Sequence, residues 1–199
     1  MDNIEPIKVV LLGESGVGKT NLINASLDRD FNEDSISTQS CYYSECSFTY
    51  KDRNYIYNLW DTAGQEQYRS LNKIFLQKGK IIFLVYSIDN KNSFDEIEFW
   101  LNYVKEILGD ENYIIALIAN KSDLYESQTV PDNLGIEFAQ KNNMKFKATS
   151  AKVNGREFKN FLIELLEEYI DSLGGKVINH DSFGIKDIKK KKKKKMKFC

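Results

Sequence analysis

The chain has 199 residues, enough for one globular domain plus an appendage, and 42% hydrophobic residues, enough for a real core. Its net charge of −1 hides a segregation: residues 186–199 hold nine lysines and one aspartate, a net +8, against −9 over the remainder. Cys41, Cys46 and Cys199 form no disulfide framework, MDNIEPIK is no signal peptide, and no apolar run approaches the roughly 20 residues of a bilayer span, so a reducing, cytosolic compartment is expected.

In chain order, IKVVLLG (7–13) is a nearly continuous apolar run that predicts a buried strand. CYYSECSFTY (41–50) is rich in β-formers, with Asp52 and Arg53 at an expected hairpin turn, and NYIYNLW (54–60) follows as its partner. KIIFLVYSI (80–88), YIIALIAN (113–120) and MKFKATS (144–150) predict three more strands. Between them Phe94, Ile97, Leu101, Val104 and Leu108 mark one helical face. Phe158, Phe161, Leu162, Leu165, Leu166 and Tyr169 mark another, stopped by Gly174 and Gly175. Six strands alternating with helices predict an α/β fold, a mostly parallel sheet covered on both faces, with ligands at the C-terminal strand ends. After Gly175 the pattern dissolves into a polar linker and seven consecutive lysines, expected to be disordered. His180 lies in that linker and is no catalytic candidate.

GESGVGKT (13–20) fits G-x-x-x-x-G-K-[ST] between a strand and a helix. Gly13, Ser15, Gly16, Val17 and Gly18 would wrap backbone N–H groups around phosphate oxygens, aided by the positive end of the helix. Lys19 would reach the β- and γ-phosphates and the Thr20 hydroxyl would ligate Mg²⁺. The motif does not name the base, so an ATP-binding P-loop kinase stays open at this point.

NKSD (120–123) and TSAK (149–152) each follow a buried strand. Guanine presents two adjacent donors, N1–H and N2–H, where adenine presents an acceptor and a C–H. The Asp123 carboxylate can pair with guanine and leave adenine unsatisfied. Asn120 would tie the loops together, the Lys121 stem would lie over the base, and Ala151, between Ser150 and Lys152, would offer its N–H to guanine O6. In WDTAGQE (60–66), Asp61 would hold Mg²⁺ through a water, the Gly64 N–H would approach the γ-phosphate, and Gln65 would orient the attacking water.

These motifs, in this order and spacing, resemble a Ras-superfamily small GTPase over residues 7–172. Ser15, Trp60, YRSL (68–71), LVYSID (84–89) and SFDEIEFWL (93–101) resemble its Rab branch. The resemblance implies a P-loop NTPase small G domain over 1–172, a hypervariable tail over 173–199, and GTP, GDP and Mg²⁺ as ligands. It implies a switch in vesicle trafficking: GTP hydrolysis, slow without an activating protein, releases two loops that partners read. Lys19, Gln65 and Thr38 would serve the reaction. Thr38, 19 residues after Lys19, would meet Mg²⁺ and the γ-phosphate, Phe31 would cover the guanine edge, and Tyr43, Trp60 and Phe75 would face effectors.

The partners implied are an exchange factor, a GTPase-activating protein, effectors, and a prenylation escort or GDP-dissociation inhibitor. The sequence also departs from the branch. Gln39, Ser40, Cys41, Tyr42 and Tyr43 follow Thr38 in place of Ile-Gly-Val-Asp-Phe, and FLQK (75–78) replaces Tyr-Tyr-Arg-Gly, which predicts a private effector surface. Cys199 would carry a prenyl group beside lysines drawn to an anionic membrane, placing the protein peripherally on a cytosolic membrane face. Its lone terminal position fits neither a double-cysteine end nor C-a-a-X, so palmitoylation or a free thiol stays open. Two further readings are a recruitment module with negligible turnover and a nuclear GTPase whose basic tail meets nucleic acid. The acidic body argues against nucleic acid as a partner.

Overall fold

In the computed structural model of the chain, residues 5–31, 42–62 and 69–173 are described. Their strands form one sheet of six: β1 (Ile7–Leu12), β2 (Tyr42–Tyr50), β3 (Arg53–Asp61), β4 (Ile81–Ser87), β5 (Ile114–Asn120) and β6 (Lys145–Ala148), in the order β2-β3-β1-β4-β5-β6. Every neighbouring pair is parallel except β2 with β3. The helices are α1 (Lys19–Ser26), α2 (Arg69–Leu76), α3 (Lys91–Asp95), α4 (Ile97–Leu108), α5 (Asp132–Lys141) and α6 (Gly155–Ser172), with a 3₁₀ segment at Ser122–Ser127. The expected α/β class and mostly parallel sheet of six are what the chain forms.

Strand alternation sorts the core into two layers. From β1, Val9 and Leu11 join Leu22 of α1 and Phe158, Leu162 and Leu166 of α6 on one face. Val10 and Leu12 join Leu76 of α2, Trp100, Leu101 and Val104 of α4 and Ala139 of α5 on the other. β4 is buried along its whole length because helices cover both of its faces. Each fully buried Leu, Ile, Val or Phe contributes about 1.5–3 kcal/mol relative to exposure. These two layers fix the strand ends on which the functional loops stand.

Three local differences from the sequence expectation have physical reasons. The hairpin turn is Lys51–Asp52, with φ of 49° and 60°, while Arg53 already pairs with Tyr50. Two positive-φ residues match the right-handed twist of the flanking strands. The helical face from Phe94 to Leu108 is split, because α3 ends at Asp95 and α4 begins at Ile97. Asn90 caps α3 through its Oδ1, which accepts from the Ser93 N–H. The stop at Gly174 and Gly175 lies outside the described residues, as does the tail. No helix among the described residues is long and apolar enough to cross a membrane.

Candidate functional site

β1 delivers the chain into the 13–20 loop, and the backbone there tolerates only glycine at two positions. Gly13 has φ +143°, and a Cβ on it would sit 2.1 Å from the Val85 carbonyl oxygen of β4. Gly18 has φ +94°, and its Cβ would sit 2.4 Å from Asn120 Nδ2. No side chain caps the start of α1 at Gly18, so the first-turn N–H groups face the loop with the helix dipole behind them. Val17, fully buried, anchors the loop on the core, while Ser15 is half-buried and Gly16 exposed. This cradle has the shape and donors that phosphate oxygens need.

Lys19 is buried, and its Nζ donates to the carbonyls of Gly13 and Glu14, each at 2.8 Å. Burial pushes its ammonium down to about 8, against the opposing pull of the Asp61 and Glu14 carboxylates. Asp61 ends β3 beside Leu11 of β1, and its Oδ2 accepts from the Thr20 hydroxyl at 2.8 Å. Thr62 locks the same strand end by donating to the Leu11 carbonyl at 2.6 Å. Thr20 and Asp61 thus bring two hard oxygen donors together beside the phosphate cradle, a donor set that fits Mg²⁺.

The second half of the site stands on β5 and β6. The Ser122 N–H donates to the Thr149 carbonyl and the Thr149 N–H to the Ala119 carbonyl, zipping the 120–123 and 149–152 loops side by side. Asn120, buried, bridges three segments: its Nδ2 donates to the Val17 carbonyl at 2.8 Å, and its Oδ1 accepts from the Ala151 N–H at 3.2 Å. The Ser150 hydroxyl donates to Asp123 Oδ1 and orients that carboxylate, each of whose oxygens has two acceptor positions. Lys121 has φ +61°, which turns the chain at the mouth of the site. Lys152 Nζ lies 5.8 Å above the half-open ring of Phe31, bringing the 13–31 segment to the same mouth. The Ala151 N–H, expected to face the base, is already engaged by Asn120, so a bond to guanine O6 would share that donor.

The sequence candidates therefore assemble. Gly13, Ser15, Gly16, Val17, Gly18, Lys19 and Thr20 sit in one loop, Asp61 beside them, and Phe31, Asn120, Lys121, Asp123, Ser150, Ala151 and Lys152 at its flank. Thr38, Gly64, Gln65 and Cys199 lie outside the described residues. Away from the loop, Tyr43 stacks on Trp60 at 5.1 Å between ring centroids, and Trp60 meets Phe75 at 5.6 Å, so the three aromatics form one continuous surface.

Sequence reasoning missed three contributors. Asn154 braces the 149–152 loop by accepting from the Ser150 N–H at 2.6 Å, although an Asn opening α6 reads as a helix cap. Lys8 lies over the Trp60 ring at 4.3 Å, and a charged residue inside an apolar strand was the signal for it. Trp100 donates its indole N–H to Glu14 Oε1 at 3.1 Å, a contact that no local motif announces.

Residues 8–171 match a family model described as Ras family. The chain is 32% identical over 177 residues to Ras-related protein rab-11.1 of Caenorhabditis elegans, covering 89% of this chain and 83% of that protein.

Proposed function

This chain belongs to the Ras family of small GTPases, in its Rab group, and from that premise we propose that its GTP hydrolysis serves as a timer for partner recruitment at membranes. The family makes it a guanine-nucleotide-binding protein and a GTP hydrolase. The observation that best supports the finer reading is Asn120, which couples the loop bearing Asp123 to the phosphate loop through Val17. Base recognition and phosphate binding then share one rigid junction.

In the proposed reaction the loop N–H groups and the α1 terminus hold the β- and γ-phosphates, and Lys19 places a desolvated charge against them. Thr20 and Thr38 would hold Mg²⁺ directly and Asp61 through water. When bound, the ion would neutralise charge developing on the phosphate oxygens. Gln65 orients the attacking water, and the Gly64 N–H marks the γ-phosphate for the second switch loop. Asp123, steadied by Ser150, selects guanine, while Lys121, Lys152 and Phe31 close around the ring. Turnover in this class is slow, on the order of 10⁻⁴ to 10⁻³ per second, until an activating protein supplies an arginine.

Residues 1–172 form the nucleotide-binding body and 173–199 a tail that carries it to membranes. The lysines gain roughly 1 kcal/mol each near an anionic leaflet, and a lipid on Cys199 supplies the second signal that stable anchoring needs. The Tyr43–Trp60–Phe75 surface is where effectors read the nucleotide state. Exchange factor, activating protein and a prenylation escort or GDP-dissociation inhibitor complete the cycle.

Single-turnover GTP hydrolysis tests the timer. Wild type should turn over slowly, and Gln65→Leu should bind GTP yet lose hydrolysis and retain GTP-dependent partners in a pull-down. Equal hydrolysis by the two proteins, or partners indifferent to GTP and GDP, would contradict the proposal.

A further inference from the structure

The phosphate loop carries a charge problem of its own. GESGVGKT places Glu14 between Gly13 and Ser15, an acid inside a loop whose donors gather anionic phosphate. Unrestrained, that carboxylate would repel the ligand, since like charges a few ångströms apart in a partly buried site interact strongly. The Glu14 backbone, by contrast, is committed to the site, because its carbonyl accepts from Lys19 Nζ at 2.8 Å. The side chain must therefore be held off while the main chain stays in place.

Trp100 supplies that hold. It sits on α4 with 1% exposure, in the core layer opposite α1 and α6. Its indole N–H donates to Glu14 Oε1 at 3.1 Å across 86 residues of sequence. The indole itself is braced by Phe99 edge-on at 5.3 Å and Tyr103 edge-on at 6.1 Å, so it has little freedom to follow a moving carboxylate. A hydrogen bond to an ionised acceptor is among the stronger kinds.

We infer that Trp100 is a positioning residue for nucleotide retention, holding the Glu14 carboxylate toward α4 so that an acidic phosphate loop can still bind phosphate. The inference rests on the nucleotide reading of this loop and adds to it a residue outside the phosphate-, metal- and base-binding motifs. It also makes α4 a direct support of the phosphate loop, so changes in the packing of α4 are transmitted to nucleotide release.

The test is the GDP release rate of the full chain, followed with a fluorescent GDP analogue, with thermal melting recorded alongside. Trp100→Phe keeps an aromatic in the core and removes the donor, and should speed release on the order of tenfold. Adding Glu14→Gln removes the charge that the donor restrained, and the double variant should return to within about threefold of wild type. A general loosening of the core would not be rescued in this way. Release unchanged in Trp100→Phe, or a double variant as fast as the single one, would overturn the inference.

Should Trp100→Phe fail to fold, Glu14→Asp carries the test. It keeps the charge but withdraws it by one methylene with the core untouched, and several-fold faster release at an unchanged melting temperature supports the inference. Wild-type release there would overturn it. Failure of the wild-type chain to bind GDP at all would instead strike the nucleotide reading, and the inference with it.

Discussion

Replacing Asn120 with alanine removes the joint between the two halves of the site. Asn120 is 1% exposed and makes two bonds, Nδ2 to the Val17 carbonyl at 2.8 Å and Oδ1 from the Ala151 N–H at 3.2 Å. Each bond contributes about 1 kcal/mol net, and each partner left unsatisfied in a buried place costs about 1–3 kcal/mol. Allowing for relaxation and water entry, about 3 kcal/mol is expected in total. For a chain of this size that lowers the melting temperature by roughly 6–12 °C. The same loss, felt at the nucleotide, corresponds to GDP release faster by on the order of 100-fold. Asn120→Asp should be no milder. Its oxygen can still accept from Ala151, but the other oxygen meets the Val17 carbonyl as acceptor against acceptor, in a buried place that penalises charge. Thermal melting and release of a fluorescent GDP analogue measure both effects. A melting temperature within about 1 °C of wild type, with release within about twofold, would refute the reasoning.

Gly13→Ala should prevent folding, since its Cβ would lie 2.1 Å from a backbone oxygen of the central strand β4. More than about 4 kcal/mol is expected to be lost, and a soluble variant with a wild-type circular dichroism melt would contradict this. Nucleotide affinity should depend on alkaline pH through Lys19. Its folded value of about 8 lies below the ordinary 10.5, so the free protein loses this proton as pH rises through 8. Phosphate favours the charged form, so GDP affinity should be level below that point and fall above it. The free protein should meanwhile gain stability between 8 and 10.5, as the cost of burying the charge is relieved. Calorimetric titration from pH 7 to 9.5 checks the slope, and a flat profile would contradict it. Intact mass of protein from its native cell should show a prenyl adduct that Cys199→Ser lacks, with the variant washing off membranes in high salt. An unmodified wild-type mass would remove the lipid anchor from the account.

β1, β4 and β5 were legible because burial on both faces leaves long apolar runs: IIFLVYS in β4 has no polar residue before its last. α5 was missed because it buries only Gly135 and Ala139, too narrow a face to show a helical period. Gly135 lies so close to Tyr86 that a Cβ would sit 2.4 Å from the hydroxyl, a packing reason invisible in one dimension. The 3₁₀ segment buries nothing and left no periodic trace. Within the site, phosphate and base loops were readable because their chemistry forces residue types into short runs. Glu14 with Trp100 and Thr62 with Leu11 were not, because those partners meet only after the sheet and α4 have packed. Lys51–Asp52 was nearly read, but positive φ at a lysine has no composition signal.

The central claim is that this site selects guanine through Asp123, and nucleotide preference measures it most directly. Affinities for GDP, XDP and ADP should be determined for wild type and Asp123→Asn under one set of conditions. Wild type should prefer GDP by orders of magnitude over both others. Asp123→Asn should lose GDP and gain XDP, because the asparagine amide can donate to the C2 carbonyl that xanthine carries in place of the guanine amine. Equal affinity of wild type for ADP and GDP, or a variant that still prefers GDP over XDP, would contradict the account.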